Sequence, residues 1–285
     1  MRASHTAVAL SFCLLAFRAA AAGPEGSFDR TLNVTGEVDL DVQTSSGRIE
    51  VRPGDSSSVR IHAVIRAHDE FFHGDEAARI HEIETNPPIQ QTGNTIRIKP
   101  PADEWVRRHV SISYELVVPQ QSRLRAQTGS GSESVEGIRG PLELETGSGS
   151  VTVARVDDEV RIQTGSGRIE LDSVKGKVNA HTGSGSIQGA GLAAAVTAHT
   201  GSGNVRLEQT GTGPIEAHTG SGGVNVRLPA EAAFDLYAHT GSGHVTVDHP
   251  ITMQGSVGGH EIQGKVKGGG ALVDVRTGSG SVRIE

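Results

Sequence analysis

The four-residue string Thr-Gly-Ser-Gly occurs eight times in this 285-residue chain, and its regular spacing restricts the fold more than any other feature. The copies begin at Thr128, Thr146, Thr164, Thr182, Thr200, Thr219, Thr240 and Thr277. The first four intervals are 18 residues each, and the next three are 19, 21 and 37 residues. A fixed period near 20 residues is typical of stacked structural units. The last interval is close to two periods, which predicts one divergent coil there.

The residues on both sides of each motif have the two-residue hydrophobic period of β-strands. In one coil, Leu142 and Leu144 precede the motif, and Val151 and Val153 follow it. The phase slips across Gly-Ser-Gly, which predicts a corner, since glycine allows the backbone angles that a sharp turn needs. The same parity places the motif threonine on the inward side, where we expect its hydroxyl to form an internal ladder.

This pattern predicts an all-β fold, a parallel β-solenoid (single-stranded β-helix) with coils of about 18 residues. A single coil cannot bury its apolar side, so the coils must stack. Parallel crossovers are overwhelmingly right-handed, and the inward positions lack the six-residue period of left-handed hexapeptide helices. We therefore expect a right-handed solenoid.

The chain before the repeats is rich in strands but is not repetitive. Residues 59–65 alternate between apolar and polar side chains, as a half-buried strand does. Residues 69–88 predict one short helix, ended by Pro87-Pro88, that is inserted against an early sheet. The predicted divisions are a signal peptide (1–22), an N-terminal β-rich region (23–120) with an insertion near 69–88, and the repeat solenoid (121–285).

The N-terminus has the three parts of an export signal. Arg2 gives a basic start, residues 7–17 are apolar, and three alanines at 20–22 form a small-residue cleavage site. The apolar run is too short to span a bilayer. Its removal would take away Cys13, the only cysteine, so we expect no disulfides. The sequence thus predicts an exported protein of the periplasm, cell envelope or extracellular space, without a membrane span after cleavage.

The charge of the mature chain argues against polyanionic partners. The chain has 26 Lys and Arg against 33 Asp and Glu, and cleavage removes Arg2 and Arg18, so 24 − 33 gives −9. A net negative charge disfavours nucleic acid and anionic membranes. We expect no cofactor.

Four histidines are the one departure from the repeat that could carry chemistry. Each stands directly before the threonine of its motif, where earlier coils have Gln127, Glu145 and Gln163; they are His181, His199, His218 and His239. Stacking would align them in one outward column. The column can be a solvated polar ladder, which the sequence favours, a weak transition-metal site, or a pH-sensitive stripe. We assign no catalytic, cofactor or metal residue, and these four are the candidates for metal.

A polysaccharide-cleaving solenoid would need two carboxylates fixed across a groove. The densest acidic group is Asp157, Asp158 and Glu159, with Asp172 expected near the next coil. These residues fall at a corner, where acidic side chains are usually solvated. The sequence therefore predicts that the protein is not an enzyme.

The repeated pattern T-G-S-G-x-[IV]-x-[VL], preceded by Ser113-Tyr114-Glu115-Leu116-Val117-Val118-Pro119, resembles the bacterial DUF4097 proteins, whose members are labelled as adhesins. Residues 32–34 and 47–51 also fit the opening of that family. The resemblance covers residues 28–285 and implies an exported β-solenoid without catalytic residues.

We expect a non-enzymatic solenoid that acts as a structural or adhesin-like surface or envelope module. The alternatives are a regulatory or sensory envelope domain that binds a protein partner, and a polysaccharide-active enzyme. The partner would be a protein or a cell-surface glycan. The chain stops within the last repeat, at 281–285, and an open terminal coil predicts end-to-end self-association.

Overall fold

The protein is a stack of β-coils whose strands align into two long sheets. The computed structural model describes residues 25–67, 76–253 and 259–285, so the predicted signal peptide lies outside the described residues. Within those ranges the strands form one sheet of twelve and one of thirteen, and two short helices accompany them. The prediction of an all-β parallel solenoid is confirmed.

The elements before the repeats are β1 (Glu25–Asn33), β2 (Val38–Ser46), β3 (Ile49–Gly54), β4 (Ser58–Ala67), α1 (Glu76–Thr85), β5 (Ile89–Thr92), β6 (Thr95–Ile98), α2 (Glu104–His109) and β7 (Val110–Pro119). The repeats form strand pairs, one strand before or through each motif and one after it: β8 (Ser122–Ser130), β9 (Glu133–Glu136), β10 (Leu142–Ser148), β11 (Val151–Val156), β12 (Val160–Ser166), β13 (Ile169–Val174), β14 (Val178–Ser184), β15 (Ile187–Leu192), β16 (Val196–Ser202), β17 (Val205–Gln209), β18 (Ile215–Ser221), β19 (Val224–Arg227), β20 (Phe234–Ser242) and β21 (Val245–Val247). The last elements are β22 (Ile251–Met253), β23 (Glu261–Val266), β24 (Ala271–Ser279) and β25 (Val282–Ile284).

Each repeat contributes one strand to each sheet. The strand that runs into the motif joins the thirteen-stranded sheet, and the strand that follows it joins the twelve-stranded sheet. The 18-residue spacing appears directly as register: Thr146 pairs with Thr164 in one sheet, and Val151 with Ile169 in the other. The core lies between the sheets and is made of the inward Val, Ile, Leu and Ala side chains.

The motif forms the corner that joins the two sheets. The motif threonines are buried, and Thr146 donates its hydroxyl hydrogen to the carbonyl oxygen of Gly131 in the preceding coil (3.1 Å). The final motif glycine has a positive φ in several coils, for example +148° at Gly203 and +142° at Gly222. These findings agree with the inward threonine and glycine corner predicted from the spacing.

The order of coils in space differs from their order in the chain at the C-terminal end. Strands β24 and β25, the last in sequence, lie between the β18–β19 coil and the β20–β21 coil. Thr277 accordingly pairs with Thr219 on one side and with Thr240 on the other. The prediction of a divergent coil in the 37-residue interval is wrong, because β22 and β23 pair antiparallel to each other and β23 pairs antiparallel to β20.

At the N-terminal end, too, the order of the coils in space differs from their order in the chain. The β2–β3 coil lies between β6–β7 and β8–β9, although β6 and β7 follow it in the chain. Since β25 is flanked on both sides, it is not an open end, and the premise of the self-association prediction is wrong. Association itself stays a prediction, and it would have to use strands other than β25.

The predicted helical insertion is present as α1, which packs on β1. Ile80 is buried, and the Ser27 amide donates to Glu84 Oε1 (2.9 Å). Helix α2 was not predicted; Asp103 caps it by accepting from the Trp105 amide (2.8 Å). The sheets continue across the predicted boundary at residue 120, because β8, the first strand of the repeats, pairs with β2 of the N-terminal region.

Candidate functional site

The outward face of the thirteen-stranded sheet carries the polar side chains of the central repeats in two columns. The first column holds the residue directly before each motif threonine, in spatial order Gln163, His181, His199, His218, Arg276 and His239. The second column holds the residue two positions earlier, in the same order Arg161, Asn179, Thr197, Glu216, Asp274 and Tyr237. We call this surface the histidine face.

Three of the four candidate histidines form a continuous stack. The rings of His181 and His199 lie 4.9 Å apart edge to face, at 87°, and those of His199 and His218 lie 4.8 Å apart and parallel, at 2°. His239 is not the next member of this stack, because Arg276 stands between it and His218. His239 instead faces Glu261, with 3.6 Å between Nδ1 and Oε2. The expected column of four neighbouring histidines is therefore wrong for His239.

Two acidic residues that the sequence analysis did not select complete the group. Glu216 Oε1 lies 3.2 Å from His199 Nε2 and 3.6 Å from His218 Nδ1. Asp274 Oδ1 lies 3.4 Å from His218 Nε2. Glu216 could have been found from sequence, since it stands two residues before His218 on the same face of a strand. Asp274 could not, because only the insertion of β24 beside β18 brings it there.

Arg276 holds Asp274 in place. Its Nε and Nη2 donate to Oδ1 and Oδ2 at 2.7 and 2.6 Å, and its guanidinium lies 4.9 Å from the ring centre of Tyr237. The Asp274 side chain is only 15% exposed. The hydrogen bonds to Asp274 raise the pKa of the Arg276 guanidinium above its usual range. This pair is a bidentate ion pair of fixed geometry.

The histidine side chains are partly shielded from solvent, with 31% of His199 and 28% of His218 exposed. Burial, followed by the neighbouring His199, lowers the pKa of His181 from its ordinary 6.5, which favours the neutral ring. Neutral imidazoles and a carboxylate are the ligands that divalent transition metals take in proteins. One ligand atom each from His199, Glu216 and His218 lies within 4.8 Å of the others, so these residues could hold such an ion.

In the acidic corner, Asp157 is paired with basic side chains. Asp157 lies 2.8 Å from Lys175 Nζ and 3.8 Å from Arg139 Nε, and the hydrogen bond from Lys175 lowers its pKa. Asp172 pairs in register with Ala154 and not with Asp157. Asp157 is thus held as an ion-paired carboxylate, whereas a general acid needs a raised pKa.

A second ionisable group lies inside the fold. Glu133 occupies the inward position that Ile49 and Val151 fill in the neighbouring coils, and it is 1% exposed. Neither of its carboxyl oxygens has a hydrogen-bond partner among the residues that the structure describes. Burial, and then the charge of Glu145, raises its pKa to about 9, so the folded chain holds it as a neutral acid at pH 7.

The comparisons with known proteins identify the family. Residues 32–285 match the family model described as Toastrack DUF4097. The chain belongs to the Toastrack DUF4097 family. This confirms the resemblance predicted from the repeat, and no curated protein matches this Toastrack chain.

Two solved structures are similar to this Toastrack chain. One is a "putative adhesin" from Bacteroides fragilis, with 12% identity, a TM-score of 0.43, and coverage of 91% of this chain and 97% of that chain. The other is a "putative cell adhesion protein" from Clostridium sporogenes, with 12% identity, a TM-score of 0.29, and coverage of 91% and 99%. Within the described ranges, no helix has the length and apolar character needed to cross a membrane.

Proposed function

We propose that the protein is an exported, non-enzymatic β-solenoid that acts as an adhesin-like module of the cell surface or envelope. The histidine face is its contact surface, and its partner is a protein or a cell-surface glycan. The observation that carries this proposal is the register of the thirteen-stranded sheet, which repeats polar side chains in straight columns across successive strands.

Such a surface suits multipoint recognition. Parallel strands lie about 4.8 Å apart, so equivalent side chains form a regular grid that a repetitive or extended partner can contact at many points. Weak contacts of this kind add up when they engage together. The polar character of the columns fits a partner that offers hydroxyl, amide or charged groups.

The acidic residues support a binding role over catalysis. Asp157, the centre of the densest acidic group, is engaged by Lys175 and Arg139. Export is supported by the signal-like features of residues 1–22 and by the absence of cysteine after Cys13.

The experiment compares two charge-matched double variants on opposite sheets. Gln163→Arg with Thr197→Arg alters the histidine face, and Thr152→Arg with Gln188→Arg alters the outward face of the twelve-stranded sheet. Beads coated with each protein are tested for attachment to bacterial cell-envelope fractions and to immobilised glycans. We expect the first variant to lose at least about tenfold in attachment and the second to match the wild type.

Equal attachment by both variants would contradict the assignment of the contact surface. No attachment by the wild-type protein would contradict the adhesin-like role. Saturable binding to one purified envelope protein would favour the regulatory or sensory role instead. Release of reducing ends from a polysaccharide would overturn the non-enzymatic proposal.

A further inference from the structure

We propose that His199, Glu216 and His218 bind one divalent transition-metal ion on the histidine face, with Asp274 as a positioning residue. The ligand atoms are His199 Nε2, one Glu216 carboxylate oxygen and His218 Nδ1. This site does not depend on the adhesin-like role and would exist if the partner surface lay elsewhere.

The distances between the ligand atoms fit a small metal ion. Zinc is bound at about 2.0–2.2 Å by imidazole nitrogen and carboxylate oxygen, which places tetrahedral ligand atoms about 3.3 Å apart. Glu216 Oε1 lies 3.2 Å from His199 Nε2 and 3.6 Å from His218 Nδ1. One ligand atom from each of the three residues lies within 4.8 Å of the others, so the site needs side-chain rotation to reach the tetrahedral spacing.

The backbone already fixes the ligands. The ring planes must adjust, and His199 Nε2, which donates to Glu216 Oε1 in the metal-free protein, must give up its hydrogen when an ion binds. His199 and His218 are paired in register on adjacent parallel strands, with Glu216 two residues before His218 on the same face. Their rings are parallel, so one must turn for both nitrogen lone pairs to point at a common ion. The edge-to-face arrangement of His181 and His199 shows that the ladder accepts the turned orientation.

Asp274 selects the tautomer that the metal needs. A carboxylate can only accept, so the 3.4 Å contact between Asp274 Oδ1 and His218 Nε2 places the ring hydrogen on Nε2. That leaves the lone pair of His218 on Nδ1, which faces Glu216. Histidines that bind metals usually donate their second nitrogen to a carboxylate in this way. The bidentate pair with Arg276 keeps Asp274 from turning into the site itself.

The donor set determines the class of ion. Two imidazoles and a carboxylate suit zinc, nickel and copper, whereas magnesium and calcium prefer all-oxygen sites. The Arg276 guanidinium is paired mainly with Asp274, and the Glu216 carboxylate supplies the negative charge nearest to the two imidazoles. The side chains of His199, Glu216 and His218 are 31%, 47% and 28% exposed, so an ion can reach them from solvent.

The test is calorimetric titration of tag-free protein with ZnCl₂ and with NiCl₂, and with MgCl₂ as the comparison ion. The variants are His199→Gln, His218→Gln and Glu216→Gln, and the matched control is His239→Gln. Glutamine already fills the column position before the motif at Gln163, so the fold tolerates it. His239 has the same motif position but stands beyond Arg276.

We expect one zinc or nickel ion per chain, at least tenfold weaker binding in each of the three ligand variants, and unchanged binding in His239→Gln. Asp274→Asn should weaken zinc binding about 10–100-fold, while urea unfolding of the metal-free protein shows whether the variant still folds. The absence of zinc and nickel binding would overturn the site. Equal affinity in the ligand variants, or dependence on His239, would do the same.

Discussion

At the scale of single residues, the motif threonine is a buried polar residue that links one coil to the preceding one. Thr200 is buried, and its hydroxyl donates to the carbonyl oxygen of Gly185 in the preceding coil (2.8 Å). The same bond recurs along the stack, for example from Thr219 to Gly203 (2.9 Å). These hydroxyls give the corner carbonyl oxygens a hydrogen-bond donor.

Replacing Thr200 by Val keeps the shape of the side chain but leaves the Gly185 carbonyl oxygen without its donor. We expect the free energy of unfolding in urea to fall by about 1–3 kcal/mol. The matched control is Thr197→Val on the same strand, which points outward and should change stability by less than about 0.5 kcal/mol. Equal effects of the two substitutions would argue against the buried hydrogen bond.

Glu133 makes the stability of the fold depend on pH in an uncommon direction. Its folded pKa of about 9 lies above the ordinary value of 4.5. Between these values the unfolded chain binds fewer protons than the folded one, so stability falls as pH rises through this window. Below pH 4.5 the Glu133 carboxyl is neutral in both the folded and the unfolded chain, so burying it carries no cost of protonation and the fold has its full stability.

Glu133→Val should therefore stabilise the protein at pH 7, because it replaces the buried acid with the residue type that neighbouring coils use. The expected gain is on the order of 3 kcal/mol at pH 7, since each pH unit above the ordinary pKa costs up to about 1.4 kcal/mol. Urea unfolding between pH 5 and pH 8 measures the slope contributed by Glu133. The exposed Glu82→Gln serves as control, and a slope that persists in Glu133→Val would contradict the assignment.

At the scale of the coil, the corner depends on the absence of a side chain on the last motif glycine. A Cβ on Gly167 would overlap the carbonyl oxygen of Gly149 in the preceding coil, and the same relation holds between Gly149 and Gly131. The corners thus stack closely because glycine allows the backbones to approach. This explains why the motif repeats its glycines while its flanking residues vary.

Gly167→Ala should destabilise the protein by about 1–3 kcal/mol, because the corner must shift to admit the methyl group. Thermal and urea unfolding measure this loss. Gly259→Ala is the control, since no atom of the described residues lies within 4 Å of a Cβ at that position. A neutral result at Gly167 would show that the stack is looser than the backbone positions indicate.

At the scale of the whole molecule, each end of the stack contains a coil that lies between two others out of chain order. The β24–β25 coil lies between β18–β19 and β20–β21. It therefore connects the stack that ends at β18–β19 to strands β20 to β23. Its C-terminal residue takes part: Arg227 Nη2 lies 2.7 Å from Glu285 Oε2. The neighbours of a coil contribute much of the stability of a stacked fold.

Removing residues 271–285 should therefore affect a coil that does not directly precede them in the chain. We expect hydrogen exchange in β18 and β19 (215–227) to lose protection together with 234–266, while β10 to β15 keep theirs. In a stack in chain order, β20–β21 would still cover β18–β19, and only 234–266 would lose protection. Retained protection across 215–227 would contradict the inserted position of β24–β25.

Much of the fold could be predicted from the spacing and parity of the repeat. An inward threonine, a glycine corner and strands on both sides follow from residues such as Val151, Val153 and Thr146, because a strand side chain alternates between two faces. The outward stack of His181, His199 and His218 follows from the same register. Helix α2 was missed because its 6 residues are fewer than the window of about 11–18 residues over which a helical period can be recognised.

The sequence by itself therefore determined the coil, its corner and its inward and outward positions. Only the tertiary structure decided which coils are neighbours, and so placed Arg276 and Asp274 beside His218 where chain order would place His239 and Tyr237. The physical reason is that the coils present nearly the same inward pattern and backbone pairing, so local sequence does not distinguish one stacking partner from another. The antiparallel β22–β23 pair occupies the chain between β21 and β24, and the return of β24 beside β18 completes the proposed metal site.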